Sequence, residues 1–176
     1  MGNIKGELSS TEIEANLGIK RNRLKGWVPE FIQPSIEQAR GHGTRNRFSR
    51  DDVYSLLVLK CLVDRGFTRQ EAGERVSGMV EKMVRHLGTL APGSRIQDVK
   101  YLAFIENSKG KYRDGIVEEP GINKPFGIAY PDLIFAKDLK DLFNDLESFD
   151  IVSNNSEIVL IINFEMIRNE VNNAFE

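Results

Sequence analysis

Residues 8–27 read LSSTEIEANLGIKRNRLKGW, and the way this stretch divides decides the fold of the first half of the chain. Ser9 can accept from the backbone N–H near Glu12 while the Glu12 carboxylate reaches back, which makes a capping box and starts a helix. Ile13 and Leu17 stand four apart and share one face. Gly18 ends the helix. At about two turns it is too short to be stable alone and needs neighbours. A second short helix follows over about Arg21–Val28. Leu24 and Trp27 face inward, and Arg21, Asn22, Arg23 and Lys25 face out. Pro29 stops it, because proline disfavours the helical conformation in the residue before it. Two short helices joined by a Gly-Ile turn are the helix-turn-helix pattern. The second is the more basic of the pair, as suits a helix that reads a groove.

Outward from this pair, residues 29–48 predict a loop or β-hairpin holding Phe31, Ile32, Pro34, Gly41, Gly43 and Phe48. Ser49 caps a third helix with Asp51 and Asp52 in its first turn, where acids suit the helix dipole. It runs to about Arg65 with Val53, Leu56, Leu57, Leu59 and Cys61 apolar and Lys60 turned to solvent. Thr68 and Glu71 form another capping box and open a fourth helix to about Leu87, with Ala72, Val76, Met79, Val80, Met83, Val84 and Leu87 as its apolar side. The Gly, Pro and Ser of residues 88–96 read as a linker. The texture then changes. Residues 99–106 predict a strand, NSKG a turn and 111–118 its hairpin partner. A long loop follows, then an amphipathic helix over 138–149, a buried strand over 157–163, and a terminal helix. In that last helix Phe164, Ile167, Val171 and Ala174 are spaced 3-4-3, a short heptad-like seam. The expected class is α+β: a mostly helical winged helix-turn-helix domain (1–87), a linker (88–96) and a small α+β dimerisation or sensing domain (97–176).

Composition narrows the function. With 40% hydrophobic and 28% charged residues over 176 positions, the chain can build a core without staples. The single cysteine, Cys61, forbids an intrachain disulfide and suits a reducing, cytoplasmic setting. The first residues lack the apolar run of a secretory signal, and the longest apolar run, IVLIIN at 158–163, is too short to cross a bilayer, so no membrane partner is expected. Cys61, His42 and His86 do not make a metal-ligand cluster, so neither a metal nor any other cofactor is expected. No phosphate loop or nucleophile motif is present, and Asp138, Asp141 and Asp145 fall on a solvated helix face. An enzyme is therefore not expected.

Charge points elsewhere. Residues 1–87 carry 15 Lys/Arg against 11 Asp/Glu, residues 88–176 carry 9 against 15, and residues 20–50 alone carry 8 against 2. A basic patch within an acidic chain is the electrostatic footprint of a polyanion partner. The plainer alternative is a solvated basic face.

Four segments in order carry a family resemblance: LSSTEIEANLGI, KRNRLKGW, RNRFSRDDV and LVLKCLVDRGFTRQEA. Over residues 8–75 the chain resembles the DNA-binding domain of the MerR family of bacterial transcription regulators. The resemblance implies an opening helix and turn, a recognition helix, a wing that ends in an arginine and an aromatic, and a following helix pair. It departs from the family at Lys20, where a capping serine is usual, at Gly26 in the recognition helix, and at Thr44–Asn46, where an aromatic-arginine motif is usual. It implies a sequence-specific transcriptional regulator that binds double-stranded DNA as a homodimer, with RNA polymerase as a further partner. Recognition-helix contacts fall to Arg21, Asn22, Arg23 and Lys25, because arginine can pair with guanine and asparagine with adenine. Wing contacts fall to Arg40, Arg45 and Arg47. Trp27 and Phe48 are expected to pack in the core. Two other readings stay open: a helix-turn-helix that binds protein, and a small-molecule sensor with its pocket in 99–163, whose effector the sequence does not name.

Overall fold

The computed structural model describes residues 6–41, 45–81, 83–84, 95–107, 133–136, 138, 140 and 156–176. The chain divides into two compact units, Met1–Lys82 together with Met166–Glu176, and Met83–Glu165. The architecture is α+β, as expected.

The first unit opens with a two-residue strand β1 (Leu8–Ser9), which the sequence did not signal, and helix α1 (Ser10–Leu17). The Ser9–Glu12 capping box is formed in both directions, and Gly18 closes the helix in the left-handed conformation. Helix α2 (Arg21–Trp27) follows after three residues. Strand β2 (Arg47–Phe48) pairs antiparallel with β1, Leu8 opposite Phe48. Leu8, Ile13, Phe48 and Leu56 are fully buried, so Phe48 is the anchor its position implied. Trp27 likewise packs inside, at 3% exposure. Helix α3 (Arg50–Asp64) carries the core, with eight buried residues between Val53 and Leu62. Lys60 is half-exposed and reaches Asp64 at 3.3 Å. Cys61, counted among the apolar positions of this helix, is only half-buried beside the Arg65 guanidinium. Burial pushes its thiol pKa up, and Arg65 opposes the shift.

Helix α4 (Arg69–Val76) opens on the expected Thr68–Glu71 capping box but stops well short of Leu87. The periodic apolar positions continue, but Ser77 leaves the helical conformation and Gly78 adopts φ 66°, which breaks the rod before helical backbone resumes at 79–81. Met79 and Met83 are still fully buried. Within α4, Gly73 lies against the face of the Phe31 ring, where a Cβ would overlap ring atoms. The Arg69 guanidinium sits 5.9 Å from the same ring and pairs with Glu30 at 2.7 Å. Helix α4 therefore buttresses the chain just after α2.

The second unit holds an antiparallel sheet in the order β4-β3-β5, from β3 (Tyr101–Asn107), β4 (Leu133–Ala136) and β5 (Ser156–Asn163). Ala103 pairs with Ile134 on one side and Ile161 on the other, and a bulge falls at Glu106/Asn107. Strands β3 and β5 match the expected ones. The expected hairpin partner at 111–118, most of the linker and nearly all of the 138–149 helix lie outside the described residues. Strand β5 is not buried throughout: Ile162 is 2% exposed but Ile161, on the opposite face, is 37% exposed.

Helix α5 (Phe164–Phe175) begins directly at the end of β5, where the Phe164 amide bonds Lys100 O at 2.8 Å. Sequence order groups it with 97–176, but from Met166 onward it belongs to the first unit. The reason is local. Val171, Ala174 and Phe175 are buried, Arg50 donates to Asn172 Oδ1 at 2.9 Å and lies 5.0 Å from the centre of the Phe175 ring, and Asn16 donates to Ala174 O.

Two substitutions test this packing. Gly73→Ala should destabilise the first unit by about 1–2 kcal/mol, because overpacking against Phe31 outweighs the helix-propensity gain of about 1 kcal/mol. Phe175→Ala should cost about 3 kcal/mol through the lost burial and the cavity left behind. Urea denaturation followed by far-ultraviolet circular dichroism measures both; unchanged midpoints would contradict these contacts.

Candidate nucleic-acid interface

The outward face of α2 is built by the residues that hold its inward face. Leu24 and Trp27 are each 3% exposed, and their three-residue spacing commits Arg21, Asn22, Arg23 and Lys25 to the other side. Lys20, at the N-cap, has no side-chain capping bond. Glu14, reaching across from α1, supplies the missing acceptor: its Oε1 accepts the Arg21 amide at 3.3 Å, and its Oε2 lies 3.4 Å from Arg21 Nε. The Arg21 guanidinium also donates to Thr11 Oγ1. The departure at Lys20 is thus compensated from the preceding helix.

The four helix candidates differ in how they are held. Arg21 is directed towards α1. Arg23 donates to Asp64 Oδ1 at 2.8 Å and lies 5.9 Å from the Trp27 ring centre. The hydrogen bond from Arg23, with a further one from Lys60, holds the Asp64 carboxyl below the usual carboxylate range. Asn22 and Lys25 make no side-chain hydrogen bond or ion pair among the described residues.

The wing is a short antiparallel pairing. Glu37 and Arg47 exchange backbone hydrogen bonds of 3.3 and 2.9 Å, and Ala39 N donates to Asn46 Oδ1 at 2.8 Å. Residues 42–44 lie outside the described residues. Its root is tied to the start of α3: Asp52 Oδ2 accepts from Ser35 N at 2.9 Å, from Ser35 Oγ at 2.8 Å and from Ser49 N at 2.8 Å. Of the wing candidates, Arg47 pairs with Glu7 at 3.0 Å beside the β1–β2 ladder. Arg40 is exposed and lines a shallow groove with Ile36 and Gln38. Arg45 is exposed and has no hydrogen bond or ion pair among the described residues.

Three of the seven candidates converge. Arg21, Lys25 and Arg45 line one groove of about 390 Å³ with Ser10, Thr11 and Asn46, over a floor that includes Leu24 and Ala39. No carboxylate is among the described residues lining it. Asn22, Arg23, Arg40 and Arg47 stand outside it. Sequence reading missed Glu14, Asp64 and Asn46. Asn46 lies within the wing segment but carries no charge to mark it, and Asp64 is 41 residues from Arg23, so no local pattern links the pair. Among the described residues, no group of three His, Cys, Asp or Glu side chains is placed to hold a metal, and no helix is long and apolar enough to cross a membrane.

Residues 8–78 match the family model described as MerR HTH family regulatory protein. No curated protein matches the chain.

The Arg23–Asp64 pair has a pH signature. Because the folded-state pKa of Asp64 is lowered, its contribution is fully present above the ordinary carboxylate pKa and is lost as pH falls through the lowered value. Both side chains are more than 40% exposed, so solvent screening limits the pair to about 1 kcal/mol or less. Asp64→Asn should therefore lower stability slightly at neutral pH, and the gap to the parent should close on acidification. Denaturant melts across pH 2–7 read it; a gap that widened on acidification would contradict the pairing.

Proposed function

We propose, from the match of residues 8–78 to the MerR HTH family model, that the protein is a sequence-specific DNA-binding transcriptional regulator. The observation that carries this reading is the groove shared by α2 and the wing. Two elements far apart in sequence turn cations towards it, and no acid lines it among the described residues. The backbone of duplex DNA is a dense line of phosphates, and its neutralisation supplies most of the affinity. Helix α2 supplies the base-reading side chains, Asn22 and Lys25 foremost because neither is engaged within the described protein, with Arg21 and Arg23 beside them. Arg40, Arg45 and Arg47 contact the sugar-phosphate backbone from the wing. The bacterial, cytoplasmic setting, the homodimer on two half-sites and the engagement of RNA polymerase are carried over from the family as parts of the same proposal.

Selection of genomic fragments by the full chain at two salt concentrations, read by sequencing, tests the reading. We expect an enriched motif, affinity that falls steeply with salt, and Asn22→Ala that relaxes preference at one position by about 1–3 kcal/mol. An enriched motif with two-fold symmetry, together with a dimer mass by light scattering, is expected of the homodimer. Absence of both enrichment and salt dependence would overturn the proposal in favour of a protein-binding module.

A further inference from the structure

Beyond the general reading, we propose that Arg69 of α4 is a positioning residue for α2: its guanidinium, seated against Gly26, fixes where the base-reading helix stands, and the missing side chain of Gly26 is what admits it. The inference rests on the DNA-binding reading and adds a residue that itself touches neither base nor phosphate. Glycine inside a helix weakens it relative to alanine, and α2, with seven residues, has little stability of its own to lose. The neighbour of Gly26 supplies the reason for it. A Cβ there would stand 3.1 Å from Arg69 Nη1, closer than ordinary van der Waals contact. The guanidinium is not free to step aside. Its Nη2 donates to Glu30 Oε2 at 2.7 Å, and it lies 5.9 Å from the centre of the Phe31 ring. Glu30 and Phe31 belong to the turn that ends α2, where their amides bond Trp27 O at 3.3 and 2.9 Å. Phe31 rests in turn on Gly73, one turn further along α4.

One side chain of α4 thus meets the end of α2 at Gly26, Glu30 and Phe31. The ion pair with Glu30 is exposed and weak by itself; the three contacts together give the guanidinium one position. A planar fork can meet Gly26 with one nitrogen and Glu30 with another, which the point charge of a lysine cannot do. Asn22 stands one turn before Gly26 on the same side of α2, about 6 Å along its axis. A methyl at Gly26 that pushed α2 off Arg69 would therefore carry Asn22 with it. Base-edge contacts carry sequence discrimination and phosphate contacts carry the salt-dependent affinity. A displaced α2 should lose the first and keep the second.

The test uses the full chain with Gly26→Ala, Arg69→Ala, the double variant and Arg69→Lys, each measured on the selected duplex and a scrambled one across a salt series, with urea midpoints alongside. Gly26→Ala should match or exceed the parent's midpoint, yet lower the selected-over-scrambled affinity ratio roughly tenfold, the discrimination of one base contact. Arg69→Ala should lower that ratio too, and Arg69→Lys, which keeps the charge, should not restore it. In the double variant the Gly26→Ala loss should vanish, leaving it no worse than Arg69→Ala, because the atom the new methyl would meet is gone. The slope of log K against log salt should stay at the parent's value throughout. If the two single losses multiply in the double variant, the residues act separately and the positioning role is overturned. If Arg69→Ala flattens the slope by about 0.9 and weakens both duplexes alike, Arg69 holds a phosphate and the role is again overturned. Should Gly26→Ala fail to fold, Arg69→Lys still decides, since a parental ratio in that variant refutes the role of the fork. If the parent binds the two duplexes equally, the DNA reading fails and the positioning role with it.

Discussion

The Asp52 carboxylate is the joint on which the wing and the first turn of α3 depend. In its own helix it is the third residue of a capping box, returning a hydrogen bond to the Ser49 amide. The same oxygen accepts both the amide and the hydroxyl of Ser35, at the root of the wing. Ser35 Oγ and Ser49 Oγ also lie within hydrogen-bond distance, 2.8 Å apart. A feature that only starts a helix when read locally thus pins the loop after α2 to the first turn of the core helix. Phe48, fully buried one residue before Ser49, fixes the other strand of the wing to the same place. Both ends of the wing are therefore referred to α3, which has eight buried residues.

That rigidity matters because the cations are not equivalent. The basic surplus between residues 20 and 50 is a sum, and the structure partitions it. Arg21, Arg23 and Arg47 each hold an acid from another part of the first unit, Glu14, Asp64 and Glu7. These pairs are exposed and individually weak, but each fixes the direction of a long side chain that would otherwise sample many rotamers. Lys25 and Arg45 hold none among the described residues. Charge engaged within the protein orients the domain's own elements.

Support for α2 comes from both of its ends. At its start Glu14 substitutes for a capping serine. Beyond its end the chain is held by the Phe31 ring on Gly73 and by Glu30 on Arg69. A glycine in the middle of α4 looks unfavourable by propensity, yet its missing side chain is what admits the aromatic ring. The terminal helix adds a third support, through Arg50 and Asn16, to the N-terminus of α3 and the C-terminal end of α1.

The sequence by itself determined the local structure of the first half. Two capping boxes, the Ser49 cap, the Gly18 stop and the Leu24/Trp27 spacing set the helix starts, the turn between α1 and α2 and the outward face of α2, because each depends on residues within four positions of one another. The apolar seam of α5 was legible too, since Phe164, Ile167, Val171 and Ala174 are all buried. What covers that seam was not, because periodicity states that a face is apolar and says nothing about its partner. The end of α4 was misread for a related reason: the apolar spacing continues past Val76, and the conformation of Gly78 overrides it. Only the tertiary structure decided that α5 from Met166 on belongs with the first unit, that Asp64 holds Arg23, and that Arg45 joins Lys25 over one groove. Those facts are contacts between residues 20 to more than 120 positions apart. Their pairing follows from how the buried faces pack, which no local pattern in the chain records.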